Sequence, residues 1–126
     1  MSQAGDAIVA RCHCGDVALT LPHAPERLLQ CNCSVCRKSG FLGVYYAEGA
    51  VAVSGPVDGY VRSDIDRPCI EMWRCRRCGI PTHWTLLDHW PHDDIARPER
   101  MGVNARLIDP AVLEGKEILQ VDGASQ

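Results

Sequence analysis

Eight cysteines in 126 residues, seven of them in tight groups, constrain this chain more than any other feature. Cys12 and Cys14 form a C-x-C. Cys31, Cys33 and Cys36 crowd into "CNCSVC", and Cys75 and Cys78 form a C-x-x-C followed by Gly79. Only Cys69 stands alone. Three explanations compete: disulfides, a metal site closed by four ligands, or a metal site left open for chemistry. The opening "MSQAGDAIVARC" lacks the basic and long apolar regions of a secretory signal. No apolar run approaches the roughly 18 residues that suggest a membrane span. The expectation is a cytoplasmic protein, whose thiols stay reduced, so that clustered cysteines bind metal or do redox work. Four disulfides remain the alternative for a secreted fragment.

Hydrophobic residues make up 46% of the chain, too many for a disordered one, and the net charge of −3 implies no dominant nucleic-acid-binding surface. The length suits one domain, residues 1–126, with a modest core. Short extended segments separated by Gly, Pro and Asp predict a mostly β fold without βαβ units. "DAIVARC" and "DVALTLP" read as strands flanking "HCG", and "RLLQCNC" as a third. "FLGVYYA", "AVAVSG", "VDGYVRS", "CIEMWRC", "PTHWTLL" and "ERMGVNARLID" follow. "SVCRKSG" predicts a turn or two of helix capped by Ser34 and stopped by Gly40, and "DPAVLEG" one short helix. The first six or so residues and "DGASQ" are expected to fray.

Residues two apart on a strand share a face, so Cys12/Cys14 and Cys31/Cys33 can each present two sulfurs to one ion. "CRRCG" is a knuckle that aims two thiolates at one point. A structural zinc takes four N or S ligands tetrahedrally. Joining Cys12/Cys14 to Cys75/Cys78 would close a loop of roughly sixty residues and clamp a small domain. Cys31, Cys33 and Cys36 would then remain: three ligands and a free corner, the arrangement of a catalytic zinc. A zinc there would hold a water or an incoming thiol as its conjugate base. Cys69 is either a fourth ligand, which would close this site too and leave a non-catalytic zinc-stabilised binding module, or a small buried hydrophobe in "RPCIEMW". A redox dithiol at Cys33/Cys36 is a third alternative, without the thioredoxin-like context it needs.

The ordered motifs "CHCG", "CNCSVCRKSG", "CRRCGIPTHW" and "VNARLID" resemble the glutathione-dependent formaldehyde-activating enzyme family, which includes the centromere protein V relatives. The resemblance covers about residues 12–109. It implies a β-tent fold, small and zinc-binding, built from short, mostly antiparallel strands. It implies two zinc ions per chain: a structural one on Cys12, Cys14, Cys75 and Cys78, and one at the reactive site on Cys31, Cys33 and Cys36. The activity it implies is carbon–sulfur lyase chemistry, in which the thiol of glutathione adds to formaldehyde to give S-hydroxymethylglutathione, or the reverse. The partners would be a small thiol and a small aldehyde, with no membrane or nucleic acid. Trp73-Arg74 before Cys75 departs from the family's usual aromatic-x-aromatic lead-in.

Other side chains compete for roles. Arg37, following Cys36, is the candidate for holding a carboxylate of the thiol substrate. Arg74, Arg76 and Arg77 around the knuckle are read as balancing thiolate charge. "LLDHWPHDDIARPER", with His89 and His92, reads as a loop because of Pro91; it could ligate metal, supply an acid–base group or form a lid. His83 and Trp84 are read as core, and Asn104 and Arg106 as a pair on one face of a strand.

Overall fold

The computed structural model describes residues 6–125. Strands β1 (Ile8–Arg11), β2 (Ala18–Leu21) and β5 (Ala52–Ser54) form a three-stranded sheet in the order β1-β2-β5. The remaining strands form a seven-stranded sheet in the order β10-β3-β4-β9-β8-β7-β6. These are β3 (Arg27–Cys31), β4 (Gly43–Ala47), β6 (Val57–Val61), β7 (Ile70–Cys75), β8 (Pro81–Leu86), β9 (Arg100–Asn104) and β10 (Glu117–Val121). Every pairing is antiparallel except β10 with β3, which is parallel, with Val121 opposite Cys31. The mostly β architecture of short strands is therefore the one the sequence predicts. No helix among the described residues is long and apolar enough to cross a membrane.

The two sheets share one core. Ala10, Leu19 and Leu21 of the small sheet pack with Val44, Tyr46, Met101 and Val103 of the large one. Alternation along β8 gives the large sheet a second apolar face: Trp84 and Leu86 join Phe41 and Met72 there, with Cys36 and Trp90 packed against them. His83, beside Trp84 on the opposite face of β8, is also buried. The core reading of His83 and Trp84 holds.

Three local expectations need correction, and one strand was not foreseen. Helix α1 (Ser34–Ser39) is N-capped by Cys33, which makes no side-chain cap bond; Ser34 is already helical, and Gly40 ends the helix in the left-handed conformation. β10 carries no strand signal in the sequence, because as an edge strand it buries no residue and shows no apolar alternation. "ARL" is a 3-10 turn (Ala105–Leu107), so Asn104 and Arg106 do not share a strand face. Residues 122–125 do not fray: Gly123–Ser125 form a 3-10 turn tied to Asn32. The fraying expected at residues 1–5 and 126 lies outside the described residues. The short helix near the end is α2 (Pro110–Leu113), capped by the Asp109 carboxylate, which accepts from the Ala111 amide.

Candidate metal centres

Two groups of thiols converge, and all eight cysteines are free. In the first, the sulfurs of Cys12, Cys14, Cys75 and Cys78 lie within 4.8 Å of one another. They come from two similar turns and not from strand alternation, since β1 ends at Arg11. At Cys12 the Val17 amide donates to Sγ, and the Gly15 amide to the carbonyl. At Cys75 the Cys78 amide donates to Sγ, and the Gly79 amide to the carbonyl. Both turns need a positive φ to reverse so tightly, which Gly15 (86°) and Gly79 (76°) supply. Cys14 Sγ lies 3.6 Å from both Cys12 Sγ and Cys75 Sγ. Four sulfurs around a tetrahedral zinc, at about 2.3 Å each, stand roughly 3.8 Å apart. The donor set fits zinc.

Electrostatics agree with that fit. Amide hydrogen bonds from Cys14 and Ile80 pull the Cys78 thiol down to about 6. The Asp16 amide favours the Cys14 thiolate, but burial and the neighbouring sulfurs outweigh it and push that thiol up to about 12. Four thiolates cannot share so small a space without a cation among them.

The second group is Cys31, Cys33 and Cys36, likewise within 4.8 Å of one another. Cys31 ends β3, Cys33 caps α1, and Cys36 lies one turn into it, so a strand-to-helix turn gathers the sulfurs where strand alternation was expected. Among the described residues no fourth His, Cys, Asp or Glu joins them. Burial opposes the Cys33 thiolate, but the Cys36 amide and thiol, Cys31 and the Arg62 guanidinium hold its pKa below the ordinary value. Burial and then the Cys33 sulfur push Cys36 up. Here too the donors suit a soft divalent ion, with three ligands instead of four.

Cys69 belongs to neither group. It precedes β7, is half-buried, and its Sγ lies 3.1 Å from His92 Nε2. The buried-hydrophobe reading fails because inward-facing Ile70, not Cys69, packs on the second apolar cluster. The loop reading of residues 87–99 holds, and His92 is committed to Cys69 and the edge of Trp90. The knuckle arginines face carboxylates: Arg76 and Arg74 meet Asp58, and Arg77 meets Asp16.

A cavity of about 380 Å³ opens on the three-thiol group, lined by Cys31, Cys36, Arg37, Arg106, Gln30 and Gln120 among others. Arg37 therefore lines the cavity beside these thiols. Arg106 is steered there by its Nε, which donates to the Gly40 carbonyl at 2.6 Å, while buried Asn104 accepts from the Arg106 and Leu42 amides. Asn104 is thus a hydrogen-bonding hub. Two neighbours carried no sequence signal, since only the tertiary fold brings them here. Arg62 pairs with Asp64 and donates to Ser34 Oγ. Tyr45 keeps its proton through burial first, with the charges of Cys31 and Cys36 adding, against Arg100, whose guanidinium sits 4.4 Å from its ring centre.

The model of the glutathione-dependent formaldehyde-activating enzyme family matches residues 7–110. The chain belongs to this family. A protein from Rhodobacter sphaeroides, known by its crystal structure, has the same fold. The two chains are 24% identical, with a TM-score of 0.62 over 88% of this chain and 99% of that one. The chain matches no curated protein.

Proposed function

We propose that this family member is a zinc-dependent enzyme of the carbon–sulfur lyase type, working in the cytoplasm on a low-molecular-weight thiol such as glutathione and on formaldehyde or a related small aldehyde. The observation that carries the reading is the unequal pair of thiol groups: four sulfurs around one point, three around the other, and Cys69 engaged elsewhere. Cys12, Cys14, Cys75 and Cys78 would hold a structural zinc. Cys31, Cys33 and Cys36 would hold the second. Zinc bound by three thiolates supplies a free, electropositive corner at which a guest thiol ionises near neutral pH.

The chain's own groups account for the rest of the reaction. In the forward direction the thiol sulfur bonds to the carbonyl carbon, the C=O π pair moves to oxygen, and the thiol proton ends on that oxygen as RS–CH2–OH. The reverse direction breaks the same C–S bond. The cavity beside Cys31 and Cys36 takes the body of the thiol, and Arg37 with Arg106 meets a carboxylate on it by charge-assisted hydrogen bonds. Binding thiol and aldehyde side by side replaces an encounter in solution with a local one.

The test is exchange NMR of glutathione with 13C-formaldehyde, with and without zinc-replete protein. The reading expects exchange between free and S-hydroxymethyl forms to accelerate in proportion to protein, to vanish with Cys33→Ser and to persist with Cys69→Ala. Exchange no faster than in buffer, with no thiol binding to two-zinc protein, would reject it.

A further inference from the structure

Asn32 stands in sequence between two of the three clustered thiols, and its amide groups engage the end of β10 and the segment that follows it. Its backbone N–H donates to the Val121 carbonyl at 3.1 Å. Its side-chain Nδ2 donates to Asp122 Oδ1 at 3.0 Å, and its Oδ1 accepts from the Ala124 amide at 2.9 Å. The Asn32 amide in turn holds the Asp122 carboxyl below the usual carboxylate range. These bonds fold the Gly123–Ser125 turn back over the metal group. Gly123 makes the closest approach: a Cβ built there would overlap Cys31 Sγ and come 3.3 Å from Cys33 Cβ. Only a residue without a side chain fits between the turn and the sulfurs. The parallel pairing of β10 with β3, Val121 opposite Cys31, delivers the segment to this spot.

We infer that residues 122–125 are a wall of the three-thiol site, latched by Asn32, which shields Cys31 and fixes the direction of its sulfur. A guest then enters through the cavity that Cys31, Cys36 and Arg37 line, to which residues 122–125 contribute nothing. Asn32 is a positioning residue in this scheme: it acts through the turn and touches no reacting atom. The inference deepens the open-site reading and rests on it for the meaning of the site, though not for the shielding of Cys31.

The experiment follows alkylation of each cysteine by iodoacetamide in zinc-replete protein, mapped by peptide mass spectrometry, for wild type, Asn32→Ala and Gly123→Ala. Zinc is counted in the same samples. Asn32→Ala should speed Cys31 alkylation about tenfold, the size expected from losing two ordinary hydrogen bonds, and leave Cys12, Cys14, Cys75 and Cys78 unchanged. Gly123→Ala should do the same by displacing the turn with a methyl. Cys31 rates equal to wild type in both variants would overturn the inference. So would a parallel rise at all seven clustered cysteines, the mark of general loosening. Wild type carrying a single zinc would reject the open-site reading alone, because the rate of Cys31 relative to Cys75 still reports the wall.

Discussion

Gly102→Ala tests whether the packing beneath the three-thiol site is as close as the structure has it. Gly102 of β9 lies directly opposite Trp84 of β8, and the indole lies across the glycine. An added Cβ would overlap indole Nε1 and Cε2 and approach Cζ2 at 2.7 Å. Ordinary contact begins near 3.4 Å, so the ring must move by about an ångström. It has little room, with Tyr45 edge-on at 5.7 Å and Phe41, Met72, Leu86 and Cys36 packed around the same cluster. Overpacking of this kind costs about 1–3 kcal/mol, and replacing glycine returns about 0.5–1 kcal/mol by restricting the unfolded chain. The net expectation is a loss of about 1 kcal/mol. Urea unfolding at fixed free zinc should show it as a lower midpoint with an unchanged slope. In a Trp84→Phe background, where the smaller ring vacates the contact, the same substitution should cost no more than about 0.5 kcal/mol. Equal costs in both backgrounds would refute the steric reasoning.

His83 is buried, and burial lowers its pKa to about 4 from 6.5, so the unfolded chain binds its proton more readily than the folded one. Stability from this residue is full above about pH 6.5 and is lost towards pH 4, by roughly 3 kcal/mol, so wild type should lose more over that range than His83→Gln; equal losses would contradict it. Cys69→Ala should leave the zinc count unchanged, because its thiol faces His92 and neither thiol group; loss of a zinc would reverse that assignment. Cys75→Ser should release one zinc and unfold at markedly lower temperature, since the bridge from Cys12 and Cys14 to Cys75 and Cys78 closes a loop of roughly sixty residues; an unchanged melting temperature would remove its clamping role.

Both thiol groups were legible as spacing, because a metal knuckle is local: two cysteines and a glycine define the turn at Cys75–Gly79, and "CHCG" makes a turn one residue shorter that also reverses at its glycine. The mechanism of presentation was not legible. Strand alternation was the expected device for Cys12/Cys14 and Cys31/Cys33, whereas the chain leaves its strands at Arg11 and Cys31 and makes turns. Strand signals succeeded at β2, which buries alternate residues, at β8, buried on both faces, and at exposed β5, and missed β10, which buries nothing. The surroundings of the three-thiol group needed the fold itself. Asn32 meets residues 122–124 across some ninety positions, and Arg62 reaches Ser34 across twenty-eight. Arg106 was weighed only as a strand partner of Asn104, since nothing local foretells the 3-10 turn that sends it to Gly40.

The account's central claim is that one ion is held by four sulfurs and the other by three. Zinc X-ray absorption on protein carrying two zincs reads the sulfur number directly. The expected resting average is about 3.5 sulfurs per zinc, with the remainder oxygen or nitrogen, rising to about 4 when glutathione is added. Four sulfurs per zinc before any thiol is added would contradict the claim.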